Sequence, residues 1–248
     1  MALSKVQEVL FMAFQTIFKR HEVKYLLTQA QKQKILQAIA PYMALDQYGR
    51  TTIRNIYFDT DNYRLIRRSI EAPVYKEKLR IRSYCRAEPQ STVFVELKKK
   101  YRKVVYKRRI ALPEKEAMAW VTGRDSCHEH SQISAEVDYF LQYYGALYPT
   151  VFLSYEREAF YSRDQSDFRI TFDDSILCRQ EDLSLGSDIY GTQLLPKGFT
   201  LMEIKCPGAI PMWMIHILSE EKIYKTSYYN KFGQESRATS PAFFPSLA

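Results

Sequence analysis

The chain has 248 residues, enough for one large domain or two small ones, and 46% of them are hydrophobic, which suffices for a packed core. A formal net charge of +8 favours anionic partners such as nucleotides, polyphosphate, nucleic acid or an anionic membrane surface, although a merely soluble basic protein has the same balance. The four cysteines are scattered and form no C-x-x-C motif, which argues against a disulfide framework or a zinc site and favours a reduced, cytoplasmic setting. No apolar run approaches the roughly 18 residues that span a bilayer, so a transmembrane helix is not expected.

The first predicted element is an amphipathic helix within residues 1–18. Val6, Leu10 and Phe14 recur there at helical spacing, and polar residues interrupt the apolar run, so a signal peptide is not expected. Because the polar face is not rich in Lys or Arg, we expect the helix to pack on the domain, with a membrane-surface helix as the alternative.

Strands dominate the pattern that follows a second predicted helix at residues 28–43, where Thr28 suits the N-cap. The predicted strands span residues 51–59, 75–85, 92–100, 104–112, 150–162, 167–173 and 200–206, and further helices are predicted at 113–122, within 133–144 and within 211–221. Pro113 is expected at the first helical position of its helix. We expect a single domain over residues 1–233 and a poorly ordered tail over 234–248.

Residues 78–84 carry the most informative pattern, because basic or aromatic residues alternate there with small or apolar ones. In a strand, one face receives Lys78, Arg80, Arg82 and Tyr84, and the other receives Leu79 and Ile81. Three cations on one strand face repel each other, so this face predicts a binding site for a polyanion such as a phosphate chain.

Five further segments repeat charges at strand period. They are residues 20–25 with Arg20, Glu22 and Lys24, residues 93–100 with Glu96, Lys98 and Lys100, residues 154–160 with Tyr155 and Arg157, residues 168–173 with Arg169, Thr171 and Asp173, and residues 202–205 with Glu203 and Lys205. The pattern predicts an α+β fold: a closed antiparallel eight-stranded β-barrel, or tunnel, with helices packed around it. Water and anions must fill its lumen, because each unpaired charge in a dry core costs several kcal/mol.

Glu203 and Glu22 are the acidic residues that we single out as metal ligands on these predicted lumen strands. Phosphoryl transfer needs cations around the phosphates and a divalent metal, and such metals prefer carboxylate oxygens. The alternative for both residues is a salt bridge to a neighbouring Lys or Arg.

The order of these motifs resembles the catalytic domain of the vacuolar transporter chaperone (VTC) polyphosphate polymerases, which belong to the triphosphate tunnel metalloenzyme superfamily. The resemblance covers roughly residues 19–233. Its motifs are Arg20-x-Glu22-x-Lys24-Tyr25, Tyr57-Phe58-Asp59-Thr60, Lys78-Leu79-Arg80-Ile81-Arg82-x-Tyr84, Glu96-Leu97-Lys98-Lys99-Lys100, Tyr155-Glu156-Arg157-x-Ala159-Phe160, Arg169-Ile170-Thr171-Phe172-Asp173 and Glu203-Ile204-Lys205.

The resemblance implies an ATP-dependent polyphosphate polymerase, which uses Mn²⁺ or Mg²⁺ to transfer the γ-phosphate of ATP to a growing polyphosphate chain in the tunnel. The residues that match the phosphate-binding set are Lys24, Arg80, Arg82, Lys98, Arg157, Arg169 and Lys231. Tyr155 matches a tunnel tyrosine near the triphosphate, and Lys78 and Lys100 are expected to bind the triphosphate with it. Glu203 matches the metal-binding glutamate, with Glu22 as the second expected metal ligand.

The sequence departs from the family pattern in three places. Asn230-Lys231-Phe232 stands where the family usually has Ser-Lys-Tyr, which keeps the lysine but loses two hydroxyls. The first strand has one glutamate in Arg20-x-Glu22-x-Lys24, unlike the Glu-x-Glu-x-Lys of hydrolytic members, which favours polymerase chemistry. No phosphate-sensing or transmembrane part is recognised, so a separate membrane partner is expected for any export.

Two other functions stay open. The first is hydrolysis of tripolyphosphate or nucleoside triphosphate at the same site, and the second is a non-catalytic polyphosphate-binding module, against which Glu203 speaks. The basic run of Lys99, Lys103, Lys107, Arg108 and Arg109 resembles a nucleic-acid patch, but we expect ATP and polyphosphate as the ligands and no nucleic acid. Strand alternation alone does not say whether Arg108 or Arg109 faces the lumen, and the oligomeric state is left open.

Overall fold

A computed structural model describes residues 18–71, 73–102, 104–164 and 166–226 of the chain. The predicted N-terminal helix, the tail over 234–248 and Asn230-Lys231-Phe232 lie outside the described residues. The extent of the single domain over 1–233 therefore stays a prediction.

The described residues form nine strands and five helices. The strands are β1 (Phe18–Thr28), β2 (Met43–Asp59), β3 (Tyr75–Ser83), β4 (Thr92–Tyr101), β5 (Val104–Pro113), β6 (Tyr148–Ser162), β7 (Arg169–Arg179), β8 (Thr192–Gln193) and β9 (Phe199–Cys206). The helices are α1 (Gln29–Ile39), α2 (Arg64–Ile70), α3 (Glu114–Val121), α4 (Gln132–Tyr144) and α5 (Met212–Glu220). Among the described helices, none combines the length and apolar character needed to cross a membrane.

All nine strands belong to one antiparallel sheet in the order β6-β2-β3-β4-β5-β1-β9-β7-β8. The first strand of this order, β6, also pairs with β7, from Phe152↔Arg179 to Tyr161↔Arg169. The predicted α+β class and antiparallel sheet are thus confirmed, whereas the predicted count of eight strands is wrong because the two-residue β8 adds to β7. The closed tunnel itself stays a proposal.

The sheet has two chemically different faces because its side chains alternate along each strand. On the helix-covered face, α3 and α4 pack on one core cluster, which includes Leu79, Ile81, Leu97 and Ile110. Helices α1 and α5 pack on a second cluster of that face, which includes Tyr25, Leu27, Ile170, Met202 and Ile204. The opposite face, here called the polar face, carries Arg80 and Arg82 of β3 and Lys98 of β4, on the side of the sheet away from α3 and α4.

The polar face is not charged throughout. A third cluster of apolar side chains lies on it, formed by Ile53 of β2, Val151 and Leu153 of β6, Ile176 of β7 and Leu201 of β9. Ile66 of α2 belongs to the same cluster. The charged part of the polar face is thus bordered by an apolar wall of buried side chains.

Several element boundaries differ from the sequence-based expectation. Strand β2 begins at Met43 rather than at residue 51. Its register against β6 shifts between Leu45 and Arg50, and this shift interrupts the alternation of inward and outward side chains by which a strand is recognised in the sequence. Strand β7 continues to Arg179, and α2 and β8 were not predicted. Pro113 is the N-cap of α3 and not its first helical residue.

Candidate functional site

Glu96 of β4 is the centre of the most concentrated group of charges on the polar face. Only 1% of its surface is exposed, and it lies in register between Arg80 of β3 and Arg109 of β5. Oε2 accepts hydrogen bonds from Nε and Nη2 of Arg80 at 2.8 and 2.7 Å, and Arg82 Nε lies 3.9 Å from the same oxygen. Oε1 accepts from Nε of Arg109 at 2.7 Å, from its Nη2, and from Nζ of Lys107 at 2.7 Å. These five residues are here called the Glu96 cluster.

The electrostatics of the Glu96 cluster reflect four cations around one buried carboxylate. Burial alone would raise the pKa of Glu96, but Lys107 and the arginines outweigh burial and hold it well below its usual range. Burial lowers the pKa of Lys107 well below its usual value, the arginines lower it further, and Glu96 offsets only part of that fall. The cluster is therefore a site with an excess of positive charge, as an anion-binding site requires.

Neutral acceptors orient the same guanidinium groups from other sides. Arg80 Nη1 donates to the Tyr57 hydroxyl at 2.8 Å, and Arg109 Nη2 donates to the Tyr84 hydroxyl at 2.7 Å. Arg82 donates from Nε to Oδ1 of Asn55 at 3.0 Å and from Nη2 to the hydroxyl of Tyr155 at 2.9 Å. The planes of three arginines are thus fixed before any ligand arrives, which reduces the entropy lost on binding.

A second group of charges surrounds Glu22 of β1 and Glu203 of β9. Glu22 Oε2 lies 2.7 Å from Lys98 Nζ, and Glu203 Oε2 lies 3.1 Å from Lys205 Nζ. Lys24 is the register partner of Glu203 across β1 and β9. Burial would raise the pKa of Glu203, but Lys205, Lys24 and other cations hold it well below its usual range. Both carboxylates therefore carry their negative charge among lysines, and the salt bridges considered for them are present.

The same carboxylates also have the chemistry that a divalent metal needs. Glu22 and Glu203 lie close enough that the charge of Glu203 raises the pKa of Glu22, against the stronger lowering by Lys98. Thr171 is the register partner of Glu203 on β7, is 5% exposed, and its hydroxyl has no hydrogen-bond partner among the described residues. These hard oxygen donors fit Mg²⁺ or Mn²⁺.

The carboxylates do not suffice as a complete metal cage. Within the described ranges no group of three or more His, Cys, Asp or Glu side chains could hold an ion. A metal here would need oxygens from phosphate and water as well, which is the usual coordination of Mg²⁺ next to a nucleotide.

The remaining predicted residues differ in how deeply they lie. Arg157 donates from Nε and Nη2 to Asp173 at 2.6 and 2.8 Å, so a carboxylate binds the same edge of its guanidinium that Glu96 binds in Arg80. Arg169 is exposed and lies 3.5 Å from Asp167, so it is placed at the edge of the polar face and not inside the group of charges. Lys231 lies outside the described residues.

Lysines line the part of the sheet next to α2, where β3 begins and β4 ends. Lys78 is the register partner of Lys98, and Lys76 is the partner of Lys100. Burial lowers the pKa of Lys100, and the charges of neighbouring lysines, including Lys225, lower it further. Lys76 Nζ donates to the Ser69 carbonyl of α2 at 3.0 Å. The predicted positions of Lys78 and Lys100 on the polar face are consistent with this register.

Sequence reasoning missed several residues of this site. It placed Glu96 and Thr171 on charged strand faces but gave them no role in the site, and it likewise gave none to Lys107, Arg109, Asn55 or Tyr57. Lys107 and Arg109 were hidden in the basic run, where Arg108 instead lies on the helix-covered face and donates to Glu136 of α4 at 3.0 Å. The register Glu96↔Arg109 shows that Arg109 lies on the polar face and Arg108 on the other, but register is a property of strand pairing and not of one strand.

Comparison with known proteins gives one family and several related folds. A family model described as VTC domain matches residues 19–239. A solved structure of a "putative adenylate cyclase" from Bacillus halodurans superimposes with a TM-score of 0.54 at 19% identity, covering 87% of this chain and 96% of the other. The PH1819 protein from Pyrococcus horikoshii gives a TM-score of 0.47 at 12% identity, covering 89% and 99% of the two chains. No match was found among curated proteins.

Proposed function

Because the chain belongs to the VTC domain family, whose model matches most of its length, we propose that it is a polyphosphate polymerase that transfers the γ-phosphate of ATP to a growing polyphosphate chain. The fold shared with the Bacillus halodurans protein supports membership in the triphosphate tunnel superfamily. In this proposal the strand pairings that link β6 to both β2 and β7 enclose a tunnel, and the polar face lines it.

One observation carries the proposal: Arg80, Arg82, Lys107 and Arg109 converge on a single buried carboxylate beside a second group of lysines. Arginine edges match phosphate oxygens in bidentate geometry, and lysines add point charges. A linear polyanion offers enough negative charge to satisfy both groups at once. A single small anion does not.

In this proposal the position of each residue on the polar face decides which phosphates it binds. Arg80, Arg82, Lys107 and Arg109 would hold the triphosphate with Tyr155 nearby, and Lys24, Lys98 and Arg157 would bind phosphates on the other side. Lys78 and Lys100, which the sequence analysis assigned to the triphosphate, lie on the α2 side and in this proposal would instead bind phosphates of the polymer, with Arg169 at the edge of the polar face. In this proposal the two groups of cations would hold donor and acceptor phosphates next to each other, and such positioning is the main contribution of a protein to phosphoryl transfer.

Glu203 and Glu22 would hold the divalent metal, with the Thr171 hydroxyl next to them. When bound, Mn²⁺ or Mg²⁺ supplies charge neutralisation on the phosphoryl group that moves. Lysines hold the pKa values of Glu203 and Glu22 below their usual range, so both carboxylates are ionised at neutral pH and no proton has to leave before a metal binds.

The test is incubation of the pure protein with γ-labelled ATP and Mn²⁺, followed by sizing of the labelled product. We expect long polymer. Free labelled phosphate would instead show a hydrolase, and no turnover together with tight polyphosphate binding would show a binding module. The Arg109→Ala variant should form no labelled polymer. The Arg108→Ala variant, which alters the preceding residue on the helix-covered face, should form it as the parent protein does.

A further inference from the structure

Glu96 poses a chemical problem for a phosphate-binding site. It is a buried carboxylate in the middle of the cations that the proposed function assigns to phosphate, and its charge repels the ligand. Two roles would account for it. It could dilute the repulsion among the cations, or it could hold the guanidinium groups in the orientation that a phosphate chain needs.

The contact geometry distinguishes these roles. A carboxylate that only dilutes charge needs proximity, whereas Glu96 engages Arg80 and Arg109 through the same edge of each guanidinium, Nε together with Nη2. Oε2 of Glu96 accepts both hydrogen bonds of Arg80, and Oε1 accepts both hydrogen bonds of Arg109 and also contacts Lys107. A guanidinium held by this edge cannot rotate, so its remaining N–H groups keep one direction.

The position of Glu96 in the sheet makes this hold rigid. Glu96 is in register with both arginines across β3, β4 and β5, so the three Cα atoms are fixed by the ladder. Tyr57 accepts from Arg80 and Tyr84 from Arg109, which closes each arginine between a charged and a neutral acceptor. Orientation of this kind is obtained before the ligand binds and does not have to be gained on binding.

We infer that Glu96 is a positioning residue, which orients Arg80 and Arg109 for a linear phosphate chain at the expense of part of the electrostatic attraction. The inference rests on the proposed function and deepens it, since it names the residue that sets the geometry of the site. Glu96 itself does not contact the phosphates.

The two roles predict opposite effects of Glu96→Gln on the binding of tripolyphosphate. If Glu96 only dilutes charge, its neutralisation leaves a more positive cluster and binding tightens. If Glu96 positions the arginines, they lose their common anchor and binding weakens, by roughly tenfold or more for two misdirected charge-assisted contacts. A loss of orientation persists at high salt, whereas a purely electrostatic gain is screened.

The experiment is titration calorimetry of the full chain with sodium tripolyphosphate, without metal, at low and high NaCl. The variants are Glu96→Gln and Glu96→Asp, the second of which keeps the charge but withdraws the oxygens from the arginines. Glu136→Gln is the matched control, since Glu136 also pairs with an arginine and a lysine of β4 and β5, but on the helix-covered face. Circular dichroism checks the fold of each variant, and Glu96→Asp carries the test if Glu96→Gln does not fold.

We expect both Glu96 variants to bind tripolyphosphate more weakly than the parent protein at both salt concentrations, with Glu136→Gln unchanged. Tighter binding by Glu96→Gln, or unchanged binding by Glu96→Asp, would overturn the positioning role and leave the proposed function intact. A parent protein that does not bind tripolyphosphate would overturn the proposed function, and the inference with it.

Discussion

Arg108 and Arg109 show at the scale of single residues how strand alternation separates a structural cation from a site cation. The two are neighbours in the sequence, yet Arg108 pairs with Glu136 of a packing helix and Arg109 with Glu96 of the polar face. Their chemistry is identical. Only the face of β5 on which each side chain lies decides its role. Alanine variants of the two arginines therefore compare the loss of a cation from the polar face with the loss of one from the helix-covered face.

Arg80→Ala and Arg82→Ala should each weaken tripolyphosphate binding while the fold survives. Each lost charge-assisted contact is worth roughly 1.5–3 kcal/mol, or about ten- to a hundredfold in affinity. Calorimetry measures the effect, with Arg108→Ala as the control that removes an arginine from the other face. Unchanged affinity in both variants would show that the polar face of β3 does not bind the triphosphate.

Glu203→Gln separates metal binding from salt bridging at the carboxylate pair. If Glu203 holds the metal, Mn²⁺ binding in the presence of tripolyphosphate should fall strongly, because a hard anionic ligand is lost while the shape is kept. Metal-free binding of tripolyphosphate should persist or tighten, since a repulsive charge has left a cationic site.

The measurements are electron paramagnetic resonance of Mn²⁺, metal-free calorimetry and a melting curve. Glu158→Gln is the stability control, because Glu158 forms a comparable 2.7 Å ion pair with Lys32 on the other face. A Glu203→Gln protein that binds Mn²⁺ as the parent does, and only melts earlier, would assign Glu203 to its pair with Lys205.

At the scale of elements, the short helix α2 depends on one residue at the end of β2. The carboxylate of Asp59 accepts hydrogen bonds from the backbone N–H groups of Thr60, Leu65 and Ile66 at 2.8, 2.8 and 2.9 Å. Helix α2 places Leu65 in the core cluster under α3 and α4, and Ile66 in the apolar wall of the polar face. Asp59 therefore joins the two sides of the sheet at this edge, which is a structural reason for the Tyr57-Phe58-Asp59-Thr60 motif.

Asp59→Ala should lower the melting temperature, since it leaves three buried backbone donors without their acceptor. The cost is roughly 1.5–3 kcal/mol or more, as expected when a charged acceptor is removed from buried partners. Asp59→Asn keeps one oxygen and should cost less. Asp61→Ala, a change at an exposed position two residues later, is the control, and equal melting temperatures for Asp59→Ala and Asp61→Ala would contradict the capping role.

At the scale of the whole molecule, we expect the excess of cations on the polar face to lower the stability of the folded protein when no polyanion is bound. Binding of a polyanion to the folded state alone raises its stability by mass action. We expect the melting temperature to rise from phosphate through pyrophosphate to tripolyphosphate and longer chains, and NaCl alone to stabilise less, by screening. A thermal-shift series at constant ionic strength is the measurement. A melting temperature independent of chain length would show that the cations face bulk solvent.

The acid stability of the molecule should depend on its buried carboxylates. The pKa of Glu96 in the folded protein lies well below its ordinary value of 4.5, so its ionised form stabilises the fold above that pH. This stabilisation is lost as the pH falls through the folded-state pKa. Glu96→Gln should therefore melt earlier at neutral pH but lose less stability on acidification. Parallel melting curves of the two proteins over the acid range would contradict this.

The sequence by itself determined most of the strands, their alternation and part of the cations on the polar face. Arg80, Arg82, Lys98 and Arg157 lie on the polar face as predicted, because side-chain alternation is a local property of a strand. The order of the motifs was enough for the family, which the match to the VTC domain confirms.

Only the tertiary structure decided which charges meet. Glu96 contacts Arg80 and Arg109 because β4 lies between β3 and β5 at one register, and a shift of a single residue would turn its side chain to the other face. Glu22 meets Lys98, and Glu203 meets Thr171, through pairs of residues far apart in the chain. Such long-range pairing depends on the hydrophobic packing of both core clusters at once, which no local pattern encodes.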